Sequence, residues 1–201
     1  EMNLELLPPA INQGEFRFVA KDRESIVYGL GAIKGLGAGP VENIVNSRGE
    51  SGPFKDLFDF CGRVDTRKAN KKAIEALIGS GAMDDLVQAA ASHHDQVGYK
   101  RALLFANQED AIHLADQKAR NADSGHTDLF GEVSLMTAGM DNDYNHIDDL
   151  HCLTLKDRLV KERVSLGLYL SGHPIDVYRR ELKYLAKTRI CDLRASNDEQ
   201  S

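Results

Sequence analysis

Near the start of the chain, apolar positions alternate with polar ones. Phe16 and Phe18, then Ile26 and Tyr28, each skip one residue, which predicts two short strands joined around residues 21–25. Ahead of them, stretch 6–12 (Leu-Leu-Pro-Pro-Ala-Ile-Asn) reads as extended chain, because proline fixes its own φ and turns its predecessor away from helix. At Gly29 the period changes. A glycine-punctuated run, Gly-Leu-Gly-Ala-Ile-Lys-Gly-Leu-Gly-Ala-Gly-Pro, leads into Val41, Ile44 and Val45 at helical spacing. Pro40 suits the first turn of that helix and Gly49 its end.

A second unit follows Gly52 and Pro53. Leu57, Phe58, Phe60 and Cys61 predict a short amphipathic helix, and a basic stretch over 63–70 leads into a helix from Lys71 to about Ile78, stopped by Gly79-Ser80-Gly81. Residues 86–120 are alanine-rich, with Val87, Val97, Leu103, Leu104, Ile112 and Leu114 and no proline, so helix is the expected state. Residues 121–149 are rich in Gly, Asp, Asn and Ser and lack apolar periodicity, the pattern of a flexible connector. Order is predicted again from Leu153. Leu155, Leu159, Val160, Val164 and Leu166 mark a basic amphipathic helix to about Gly167, and a further helix over 177–185 follows Ser171-Gly-His-Pro174. The expected fold class is mainly α: a tandem helix-hairpin-helix unit with a short β element over 1–85, a helical extension over 86–120, a connector over 121–150 and C-terminal helices over 151–201.

Composition narrows the function classes. The 201 residues hold 25 basic and 31 acidic side chains, a net charge of −6, which argues against a protein that coats nucleic acid along its whole surface. That charge is segregated. Residues 106–150 hold ten acids and two bases, a net of −8, whereas residues 151–201 net +3 and residues 61–75 hold five bases against two acids. No apolar run has the length of a membrane span, and the first twenty residues lack the basic-then-apolar order of a secretion signal. Cys61, Cys152 and Cys191 are odd in number and free of Cys-x-x-Cys spacing, as expected of reduced thiols in the cytoplasm.

Three segments carry candidate chemistry. Ile33-Lys34-Gly35-Leu36-Gly37 sets two glycines around one apolar residue between two apolar stretches. Backbone N–H groups and the dipole at the start of the next helix bind a phosphate oxygen without reading bases, and Lys34 adds charge; alternatively the glycines only make a tight turn. The run contains no Gly-Lys-Ser or Gly-Lys-Thr, so it is no Walker loop. Arg63, Arg67, Lys68, Lys71 and Lys72 cluster at the start of a helix, where cations oppose the helix dipole; phosphate contact accounts for them, and so does a solvated basic turn. In the acidic connector, Leu129 and Phe130 are adjacent bulky apolar residues. They dock either on this protein's own surface or in a partner's apolar pocket.

Catalytic patterns are sparse. The seven histidines, among them His93-His94, His113, His146 and His151, form no His-Glu-x-x-His or His-x-His, and Ser171 and His173 share a Gly-Pro loop. No catalytic and no metal-ligating residue is assigned.

Five ordered segments, Tyr28 to Gly37, Ser47 to Val64, Asn70 to Leu86, His126 to Gly131 and Lys161 to Tyr178, resemble the alpha-subunit family of bacterial DNA polymerase III, the replicative polymerases. The resemblance implies a stretch lying after the palm, thumb and fingers and before an OB-fold domain. It implies that Lys34, Gly35, Leu36 and Gly37 touch the backbone of newly made duplex, together with the basic unit around Arg67, Lys68, Lys71 and Lys72. His126, Asp128, Leu129 and Phe130 occupy the family's internal sliding-clamp motif, Gln-x-[Asp/Ser]-Leu-Phe. His126 replaces Gln there and cannot reproduce an amide's paired donor and acceptor. Ala10 stands where the family commonly has Asp. The family's catalytic carboxylates and their magnesium ions lie upstream, so the resemblance implies duplex DNA and the clamp as partners, other replicase subunits reached through other regions, and no cofactor in this stretch. Two other readings are a helix-hairpin-helix DNA repair enzyme and a purely protein-binding helical module.

Overall fold

The computed structural model describes residues 4–88, 95–124 and 152–185. The chain is mainly helical, with a three-stranded sheet at its N-terminal end. Strands β1 (Glu5–Leu7), β2 (Val19–Ala20) and β3 (Ser25–Val27) lie in the order β1-β3-β2. β2 and β3 pair antiparallel, with Val19 opposite Val27. Their turn closes on the Asp22 carboxylate, which accepts the N–H groups of Glu24 (2.8 Å) and Ser25 (2.7 Å); a hydrogen bond from the Ser25 side chain, then these N–H groups, hold it below its ordinary pKa. β1 adds to β3 in parallel, Leu6 opposite Ile26. The strand period thus holds for the hairpin but not for Phe16 and Phe18, which fall outside β2 and are exposed.

The helices follow their capping residues. Helix α1 (Ala38–Ser51) runs through Gly49, the expected end, and stops at Gly52, whose φ of 79° lies in the left-handed region. Helix α2 (Leu57–Arg63) is capped by Asp56, which accepts the Asp59 N–H at 2.7 Å. Helix α3 (Lys71–Ser80) is capped by Asn70 and ends at left-handed Gly81, so Gly79 and Ser80 belong to its last turn. Helix α4 (Gln96–Ser124) starts later than the alanine-rich composition predicts, after a short 3-10 turn at Asp84–Leu86. Helix α5 (Leu155–Leu166) sits between a Thr154 cap and left-handed Gly167. The last predicted helix is split into a 3-10 turn (Pro174–Tyr178) and α6 (Arg179–Leu185).

One apolar cluster joins these parts. Phe60 and Leu57 of α2, Leu77 and Ile78 of α3 and Leu104 of α4 are fully buried, and Leu166 of α5 packs into the same cluster. Burial of side chains of this size stabilises by roughly 1.5–3 kcal/mol each. Polar bonds then fix the register of the pieces. Tyr28 donates its hydroxyl to the Leu166 carbonyl (3.2 Å), and the Ile11 N–H reaches the Ala82 carbonyl (2.9 Å). Asn12 exchanges two hydrogen bonds with the Phe54 backbone, at 2.8 and 2.9 Å.

Candidate nucleic-acid interface

The first hairpin is held from within and open at its tip. Ile33 and Leu36 are buried, and the Leu36 N–H closes a tight turn on the Ile33 carbonyl at 3.1 Å. Between them Gly35 adopts φ 87°, a conformation that side-chain-bearing residues rarely take. The Lys34 N–H donates to the Ser165 carbonyl (2.7 Å), so α5 fixes the hairpin's position. The glycines of this run divide by surroundings. A Cβ at Gly29 would sit 2.7 Å from the Arg17 backbone and one at Gly31 2.7 Å from the Phe16 carbonyl, so internal packing accounts for both. A Cβ at Gly37 or Gly39 would meet nothing within 4 Å, and neither residue has positive φ.

Those two glycines sit at the start of α1. Gly37 is its N-cap, offers no side-chain cap, and leaves the first N–H groups of the helix without an intrahelical acceptor; Pro40 has no N–H to offer. An uncapped N-terminus carries partial positive charge and points donors outward. Lys34 is exposed, with its ammonium lying against the C-terminal end of α5 at Gly167.

The basic unit sorts into different roles. Arg63, grouped by sequence with the others, is structural: its guanidinium pairs with Asp59 (2.9 Å), donates to the carbonyls of Ser47 (2.8 Å) and Gly52 (2.7 Å), and stacks over Phe54 at 4.4 Å. Lys71 pairs with Glu109 of α4, which raises the lysine's pKa and lowers the carboxylate's. Arg67 extends to solvent with only a 3.2 Å contact to Asp65. Lys68 and Lys72 are exposed, and among the described residues neither they nor Lys34 form an ion pair. Lys34 and Lys72, 38 positions apart in sequence, line one groove.

Comparison with known proteins bears on this arrangement. Residues 3–93 match the helix-hairpin-helix motif family. The whole chain is 48% identical over 207 residues to DNA polymerase III subunit alpha of Pseudomonas aeruginosa, covering 17% of that protein. The corresponding subunit of Haemophilus influenzae is 43% identical over 96% of this chain, and that of Escherichia coli K12 is 40% identical over 96%. This chain belongs to the DNA polymerase III alpha-subunit family. It spans between 15% and 17% of the length of these relatives.

Within the alpha-subunit chain, His126, Asp128, Leu129 and Phe130 lie outside the described residues. Ala10 opens a turn in which its carbonyl accepts the N–H groups of Gln13 and Gly14, so the backbone rather than the side chain holds that turn. Among the described residues no group of three His, Cys, Asp or Glu side chains converges to hold a metal ion, and no helix is long and apolar enough to cross a membrane. The Cys61 thiol is buried, and burial pushes its pKa up to about 12, aided by Asp116 and Asp56. Cys152 is exposed.

Sequence reasoning missed two arginines that anchor the C-terminal part. Arg101 of α4 is 3% exposed; it pairs with Asp84 (3.0 Å) and with Glu162 of α5 (2.9 Å), itself fully buried. Arg158 of α5 pairs with Asp95 at 2.7 Å and donates to Ser171 at 3.1 Å. Burial alone would raise the Glu162 carboxyl, but the N–H groups of Ser171 and Leu170 and the Arg101 guanidinium outweigh it and hold the pKa below the ordinary range. Charge content could not separate these anchors from free surface cations.

Proposed function

We propose that this chain is the part of a replicative polymerase alpha subunit that grips duplex DNA without reading its sequence and ties the enzyme to the sliding clamp. The observation that carries the reading is the start of α1, an uncapped helix end fronted by open space at Gly37 and Gly39. Inside the first turn, alanine is a better residue than glycine by about 0.5–1 kcal/mol, so Gly39 serves something other than helix stability. Close approach of a phosphate is such a purpose. Lys34, Arg67, Lys68 and Lys72 then supply backbone charge, while Lys71 is engaged with Glu109.

The clamp tether is read from His126 to Phe130, with Leu129 and Phe130 as the apolar anchors. Joining a backbone grip to a ring-bound motif raises the effective concentration of enzyme at the primer end, which is how the two parts together promote processive synthesis. Polymerisation itself, with its magnesium ions, is assigned to regions of the longer alpha subunits beyond this stretch.

Fluorescence anisotropy on two duplexes of unrelated sequence tests the grip. Comparable affinity for both, steeply weakened by salt and by Lys34→Ala/Lys72→Ala, is expected; no binding of either duplex at low salt refutes it. For the tether, binding to a bacterial sliding clamp is expected to vanish in Leu129→Ala/Phe130→Ala, and unchanged clamp affinity in that variant would refute it.

A further inference from the structure

A groove of about 830 Å³ runs between α3, α4 and α5. Its walls are apolar: Ala76 from α3, Phe105 from α4, and Val160 and Val164 from α5 all line it. Val160 and Val164 are one helical turn apart and stand 56% and 67% exposed, although Leu159 and Leu166 on the other face of the same helix are buried. Exposed apolar residues in a concave setting mark a binding surface more than a solvent face.

The rim is basic. Lys34, Lys72 and Lys161 border the groove against one acid, Glu75, and Lys161 is drawn over the Phe105 ring at 4.1 Å.

These features select among ligands. A phosphate backbone matches three lysines but has no apolar groups for the valines and Phe105. A peptide supplies both elements: apolar side chains for the walls and carboxylates for the rim. We propose that the groove between α3, α4 and α5 is a docking site for an acidic segment of a partner protein that presents neighbouring bulky apolar side chains. Lys161 orients the segment, which competes with duplex DNA for Lys34 and Lys72, and Val160, Val164 and Phe105 take its apolar anchors.

The test is selection of a phage-displayed random peptide library on the full 201-residue chain, followed by anisotropy titration of the enriched peptides. Enriched peptides are expected to combine Asp or Glu with Leu, Ile, Met or Phe. Their affinity is expected to fall about tenfold or more in Val164→Asp and severalfold in Lys161→Ala. No enrichment, or peptides that bind Val164→Asp as well as the parent, overturns the proposal. So does enrichment seen only after deletion of residues 126–130, which would make the chain's own segment the occupant. Loss of duplex affinity in Val164→Asp without any peptide selection would assign the groove to DNA instead.

Discussion

Replacing Arg101 with methionine isolates the bond between α4 and the C-terminal part of the chain. The guanidinium is almost fully enclosed and pairs with both Asp84 and Glu162, and the Glu162 side chain is 0% exposed. Methionine fills most of the arginine's volume, so the change removes charge more than packing. Breaking a buried ion pair from one side typically costs about 3–5 kcal/mol, because the remaining ion keeps its desolvation penalty. Here Glu162 retains the N–H groups of Leu170 (2.9 Å) and Ser171 (3.1 Å), which places the expected loss near the lower end, roughly 3 kcal/mol. Urea unfolding followed by circular dichroism at pH 7 reads it directly. The pH dependence supplies a sharper check. In the parent, the folded-state pKa of Glu162 is depressed, so its contribution to stability is present above the ordinary carboxylate range and is lost as pH falls through the lowered value. Without Arg101 both Asp84, already raised by burial, and Glu162 lose a cation that opposes their burial, so both carboxyl pKa values move up and protonation relieves the variant. The deficit of Arg101→Met is therefore expected to shrink between pH 7 and about pH 4.5, and the added change Glu162→Gln is expected to recover part of it at pH 7. A loss below about 1 kcal/mol, or one that does not change with pH, would refute the argument that an uncompensated Glu162 is the cause.

Further outcomes follow from the hairpin and its surroundings. Gly39→Ala is expected to stabilise the fold by up to about 1 kcal/mol while weakening duplex binding, whereas Gly35→Ala, at φ 87°, is expected to destabilise by about 1–2 kcal/mol; thermal melts and anisotropy on the same samples separate the two effects. Each phosphate-contacting cation contributes about 0.9 to the slope of log affinity against log salt, so Lys72→Ala is expected to flatten that slope by about this amount and Lys71→Ala to leave it nearly unchanged. Equal slope changes in both variants would contradict the separate roles assigned to them. Ellman's reagent is expected to label exposed Cys152 rapidly in the folded chain and Cys61 only on unfolding, since burial holds its thiol protonated with a pKa of about 12.

Local rules alone located much of the structure. Gly79-Ser80-Gly81 and Gly167 announce helix ends, and the spacing of Leu57, Phe60 and Cys61 marks the buried face of α2. The glycine-rich hairpin and its lysine were equally visible, because a tight turn into a helix depends on a handful of consecutive residues. What stayed hidden was the fate of the charges. Arg63, Lys71 and Lys72 look alike as a basic cluster, yet one stitches α1 to α2, one pairs with α4 and one borders an open groove. The same holds for Arg101 and Arg158, whose partners lie 61 and 63 positions away. Likewise, proline chemistry predicts an extended N-terminal chain but not its parallel pairing with β3 across twenty residues. Caps and periodicity are decided by neighbours along the chain, within the first few hydrogen bonds. Ion pairing, burial of a carboxylate and the placing of Lys34 and Lys72 on one groove are decided by how helices dock, and only the folded chain brings Arg101 within 2.9 Å of Glu162.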